Sequence, residues 1–174
     1  MSSQSTYIDV NNEKLHYLVW GSGKRLLLAF HGYADDAEMY APLQQYLSSE
    51  YTILSIDLPH HGQSRWGDHS LLTKQGLSSL VQGLMATYRV SKVSLIGYSM
   101  GGRLCLSILE DLPRHVEKVV LMAADGLAVN FYYNFFTRTY LGKKNVPEYA
   151  GEAKALFPGN ELAAEGQPRT CVKA

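Results

Sequence analysis

The chain has 174 residues, 46% of them apolar and 18% charged, a length and balance that suit one folded domain with its own core. Sixteen basic residues match sixteen acidic ones, so no net field draws the chain to nucleic acid or to an anionic membrane. Cys105 and Cys171 are too few for a disulfide framework, and no apolar run approaches the roughly 20 residues that span a bilayer.

The opening "MSSQSTYIDV" lacks a basic segment followed by an apolar one, so no signal peptide is expected and the expected location is cytoplasmic. "STYIDVNNEKLHYLVWGSG" alternates apolar and polar residues on both sides of "NNE", the pattern of an antiparallel hairpin. "RLLLAF" (25–30) reads as a strand buried on both faces. "EMYAPLQQYLSSE" (38–50) has helical spacing, and "YTILSIDLP" (51–59) is the next strand. "TKQGLSSLVQGLMATYRV" (73–90) predicts an amphipathic helix with a threonine cap. "KVSLIGYS" (92–99) is a strand, "MGGRLCLSILEDLPRH" carries the following helix, and "VEKVVLMAAD" (116–125) is one more strand. Cys105 falls mid-helix as a small core residue. Strands alternating with helices predict an α/β fold, a predominantly parallel sheet with flanking helices and right-handed crossovers. Functional loops then lie at the carboxyl ends of the strands: "HGYADD", "DLPHHGQS", "GYSMGG" and "AADG".

"GYSMG" (97–101) fits G-x-S-x-G. The bare pattern is weak, but an apolar strand precedes it and a helix follows. A strand that reverses straight into a helix strains its apex residue and thrusts that side chain outward. Gly97 and Gly101 stand where neighbouring segments crowd the corner. The helix amino terminus points backbone N–H groups at any charge that forms near Ser99, and the N–H of Met100 is a natural donor to an oxyanion.

Four segments together resemble the α/β-hydrolase family. "RLLLAFHGYADD" is similar to its strand and His-Gly oxyanion loop, "IDLPHHGQS" to its Asp-x-Pro-Gly-His-Gly-x-Ser segment with His60 where glycine is usual, "GYSMGG" to its nucleophile elbow, and "VEKVVLMAADG" to the strand beyond. They come in the family's order over about residues 7–125. The resemblance implies Ser99 as nucleophile and the backbone N–H groups of Tyr33 and Met100 as the oxyanion hole. It implies carboxylic-ester hydrolysis through an acyl-enzyme, with a small-molecule acyl ester as substrate and no cofactor or metal.

A serine needs a base, and in the family the triad follows the order Ser, Asp or Glu, His. After Ser99 only His115 remains, at the amino-terminal end of the 116–125 strand. Such a strand puts it roughly 20 Å from the serine's edge. His16 belongs to the hairpin and His69 to a loop. His31 is read as ordering its own loop, and His60 and His61 share the correct edge; these three are weak substitutes for the base. Asp125 is a candidate orienting acid, set against a plain Asp-Gly turn. The chain therefore divides into a core over 1–125, the family's amino-terminal half without its last strands, and a second part over 126–174. There Tyr132, Phe136 and Tyr140 recur at helical spacing like the start of a lid, followed by an unassigned tail. The "CVKA" end, with Lys173 in an aliphatic position, does not make a prenylation box.

The expected enzyme is a serine hydrolase impaired by the lack of its triad histidine; a truncated or frame-shifted reading frame is a separate account of that lack. The other reading is a non-catalytic binding or assembly module. In it, self-association or a partner covers the 116–125 strand, an apolar edge that invites pairing.

Overall fold

A computed structural model describes residues 3–68 and 70–124. Strands β1 (Gln4–Val10) and β2 (Glu13–Trp20) form the antiparallel hairpin. Asn11 and Asn12 turn it with φ of 51° and 69°, the doubly left-handed corner whose twist suits a two-residue hairpin loop. Strands β3 (Arg25–Phe30), β4 (Tyr51–Ile56), β5 (Val93–Tyr98) and β6 (Val116–Met122) follow. The sheet order is β1-β2-β4-β3-β5-β6. β2 runs antiparallel to β4, whereas β3 pairs in parallel with β4 and β5, and β5 with β6. The α/β architecture and its largely parallel sheet are as expected.

Alternation along each strand sorts the core into two layers. Leu26, Leu28 and Phe30 of β3 and Leu54 and Ile56 of β4 join the cluster that helices α2 (Lys74–Thr87) and α3 (Met100–Asp111) cover with Leu77, Leu80, Leu84, Leu104 and Ile108. Leu27, Ala29 and Ile53 face the other way, against Ala37 and Tyr40. Burying both faces explains why β3 reads as an unbroken apolar run. The hydroxyl of Thr73 accepts from the N–H of Gly76 and caps α2, as its sequence predicts.

Three boundaries differ from expectation. Residues 38–50 are not one helix: a 3₁₀ segment, Ala37–Leu43, leads into the single turn α1 (Gln44–Leu47). Pro42 lies inside it and has no N–H to bond back along a regular helix. β4 ends at Ile56 and β6 at Met122: past β4 the Asp57 N–H still bonds the His16 carbonyl across the ladder, whereas past β6 the chain turns at Ala123 with φ 46°. Among the described residues β6 is an edge strand, and Val120 on it is half exposed. Asp125, His69 and the expected lid and tail lie outside the described residues.

Candidate active site

Parallel pairing aligns the carboxyl ends of four strands, since Phe30 stands opposite both Ile56 and Gly97, and Tyr98 opposite Met122. The segments that leave those ends each hold a non-glycine residue with positive φ: Ala34 (61°), His60 (61°), Ser99 (48°) and Ala123 (46°). Such backbone costs of order 1–3 kcal/mol per residue and gathers where function demands a particular geometry.

Ser99 is the apex between β5 and α3, with φ 48° and ψ −112°. Its N–H donates to the carbonyl of Met122 at 2.9 Å, and its carbonyl accepts from Gly102 at 3.0 Å. The corner is therefore pinned from β6 and from its own helix. Its side chain makes no capping hydrogen bond. The two glycines around it are required by contact. A Cβ on Gly101 would run into the carbonyl oxygen of Phe30, and one on Gly97 would lie 2.7 Å from Cys105 Sγ. The first turn of α3 is thus pressed against the end of β3, beside the loop that starts at His31. Met100 is the first residue of α3, and the early N–H groups of a helix have no partner within it. Tyr33 lies in the β3 loop, 56% exposed, with its ring edge-on to that of His61 at 5.9 Å. Ser99, Met100 and the Tyr33 loop accordingly occupy one edge of the sheet.

His31 is wholly buried. Its Nδ1–H donates to the Gly32 carbonyl at 2.6 Å, and its Nε2 accepts the N–H of Leu58 at 2.9 Å. Both nitrogens are engaged, and burial holds its pKa below the ordinary 6.5, so it is a neutral brace between two loops. His61 donates Nδ1–H to the Pro59 carbonyl at 2.7 Å, and its ring lies tilted, 5.1 Å from that of His31. His115 ends a 3₁₀ turn just before β6, whereas Ser99 is bonded to the last residue of that strand. The length of β6 separates them. Burial raises the Cys105 thiol to about 12, which keeps it protonated.

One pairing escaped the sequence. Continuing the β2–β4 ladder by one residue sets His16 against Asp57, with the Asp57 N–H donating to the His16 carbonyl at 3.0 Å. His16 Nδ1 lies 2.7 Å from Asp57 Oδ2, and both residues are buried. Asp57 also accepts from Ala37 and Gln63 backbone N–H groups at 2.6 and 2.7 Å. Alternation already put His16 on one face of the hairpin, and Asp57 belonged to a quoted motif. Only the strand order brings them together. The cavity beside them is about 50 Å³, room for water rather than for an ester.

A family model described as the alpha/beta hydrolase fold matches residues 25–160. The chain belongs to the α/β-hydrolase fold family. A protein named "Probable serine hydrolase" from Drosophila melanogaster is 32% identical over 85% of this chain and 42% of its own length. The hydrolase YugF of Bacillus subtilis is 30% identical over 71% of this chain and 50% of its own. The chain thus spans half or less of the length of these curated relatives. Among solved structures, the naproxen esterase of Bacillus subtilis aligns with TM-score 0.67 at 20% identity over 78% of this chain and 48% of its own. The epoxide hydrolase CorEH aligns with TM-score 0.68 at 20% identity over 89% and 55%. An esterase and an epoxide hydrolase on one fold show that the fold alone does not choose the reaction.

Among the described residues, no helix is long and apolar enough to cross a membrane.

Proposed function

We propose that this chain carries the nucleophile and oxyanion half of a serine hydrolase that cleaves small carboxylic esters through an acyl-enzyme on Ser99. One observation supports this above the others: the strained Ser99 corner, held by Met122 and packed on the end of β3 through Gly101. A structural serine could occupy a relaxed turn; this one is held at φ 48° with its hydroxyl not used as a cap. In the proposed reaction Ser99 Oγ attacks the ester carbonyl, and charge builds on the carbonyl oxygen. The backbone N–H groups of Tyr33 and Met100 receive it; one such donor is worth about 2.7–4 kcal/mol in a hydrolase of this kind.

The base is the weak point of the reaction. The only histidine after Ser99 is His115, at the far end of β6, and His31 has both nitrogens engaged. Without general-base help, worth about 10²- to 10⁴-fold, ester turnover by this chain is slow. The test is a fluorophosphonate probe with peptide mapping, beside hydrolysis of 4-nitrophenyl butyrate. Label on Ser99 and cleavage that vanishes in Ser99→Ala support the proposal. Equal cleavage by both proteins with no label on Ser99 overturns it.

A further inference from the structure

The described residues hold a serine–histidine–aspartate alignment that the Ser99 reaction does not use. Ser5 Oγ lies 2.8 Å from His16 Nε2, and His16 Nδ1 lies 2.7 Å from Asp57 Oδ2. A carboxylate only accepts, so the Nδ1 proton belongs to the bond with Asp57. The neutral ring then has its Nε2 lone pair facing Ser5, and the hydroxyl donates to it. That is the tautomer a histidine needs to take a proton from a serine.

The relay is rigid where it must be. His16 is 1% and Asp57 2% exposed. The His16 N–H donates to Ser64 Oγ at 2.9 Å, and the Ser64 hydroxyl donates to the Asp57 carbonyl at 2.7 Å. The ring of Tyr7 lies 5.1 Å from that of His16, and the Arg65 guanidinium lies 5.5 Å over Tyr7. Ser5 itself is exposed on the edge strand β1, so the serine meets solvent while its base is buried, and the bond between them lies at the boundary. An exposed hydroxyl bonded to a buried, oriented imidazole differs from an ordinary surface serine, whose proton goes only to water.

We infer that Ser5 is a site of covalent acylation by activated acyl esters, with His16 as its general base and Asp57 as the positioning residue. In the step, the Ser5 Oγ–carbonyl carbon bond forms and the bond from that carbon to the alkoxide or phenoxide breaks. The hydroxyl proton passes to His16 Nε2 and then to the leaving oxygen. The products are an acyl ester on Ser5 and the free alcohol or phenol.

The experiment treats the 174-residue Ser99→Ala chain with 4-nitrophenyl acetate and maps acetylated peptides over time. Exposed Ser3, Ser22 and Ser49 serve as controls within the same molecule. Ser5 is expected to acetylate about 10²-fold faster than they do, the lower end of what general-base help supplies. His16→Gln should bring Ser5 down to their rate while the thermal transition remains. Acetylation of Ser5 at the same rate as the control serines overturns the inference, and that comparison stands even if His16→Gln does not fold. A folded His16→Gln chain with undiminished Ser5 acetylation overturns it too. Ser5→Ala should leave Ser99-dependent ester cleavage as it is, so failure here and failure of the Ser99 reading are separate results.

Discussion

Ser99 and Asp57 lie at the same edge of the sheet, at the ends of strands that both flank β3, and the fold treats them in opposite ways. Around Asp57 both carboxylate oxygens are occupied and the backbone is continuous with a ladder. Around Ser99 the hydroxyl makes no cap and the backbone is strained. A carboxylate whose bonding is complete holds its neighbours in place, whereas a hydroxyl that caps nothing on a strained corner is what the proposed Ser99 reaction needs.

The sharpest way to break this contrast is at Gly101. Gly101→Val drives a side chain into the Phe30 carbonyl, and backbone at the centre of a sheet cannot give way. The expected loss is above about 4 kcal/mol, read by urea denaturation, and Ser99 should lose its fluorophosphonate label. At the other region, Asp57→Ala strands the His16 Nδ1–H and the N–H groups of Ala37 and Gln63. The cost should be about 3–5 kcal/mol, measured the same way. A loss under about 1 kcal/mol would mean that this carboxylate is not the node described.

Ser99→Gly tests the strain directly. Glycine adopts φ 48° without a Cβ penalty, so the variant should gain about 1 kcal/mol, while Ser99→Ala, with the Cβ retained, should not gain. Equal stability of the two would remove strain from the account. The smallest effect concerns His31. Burial lowers its pKa in the folded chain below 6.5, so the unfolded chain takes up the proton first as pH falls. Its contribution is complete above about pH 6.5 and declines below that, toward the folded value. Urea midpoints from pH 7.5 down to 5 should show that slope, reduced in His31→Asn.

Strand positions were legible because apolar runs and period-2 alternation are local signals: "RLLLAF" is β3 to the residue. The Ser99 corner was legible for a similar reason, as two glycines two residues either side of a serine answer a steric demand within five residues. His60 is a further case. It stands where the family's segment usually has glycine, and its φ of 61° is the left-handed conformation glycine favours. The 3₁₀ segment over Ala37–Leu43 was less legible, because its apolar spacing matches that of a regular helix and Pro42 is the one local sign against it. The His16–Asp57 pair was not legible, since the two are 41 residues apart and meet only because β2 lies beside β4.

By itself, the sequence determined the order of strands and helices, the two-sided burial of β3 and the strained turn at Ser99, all set by sterics and hydrophobic alternation over a few neighbouring residues. Tertiary structure alone decided which polar groups meet: the side chains of His16 and Asp57, the His31 ring and the Leu58 N–H, and the Ser99 N–H and the Met122 carbonyl. The reason is that strand order and register are settled by burial of the whole sheet. A hydrogen bond across it reaches only a few ångströms, so a one-strand change would replace every partner and leave each local pattern intact.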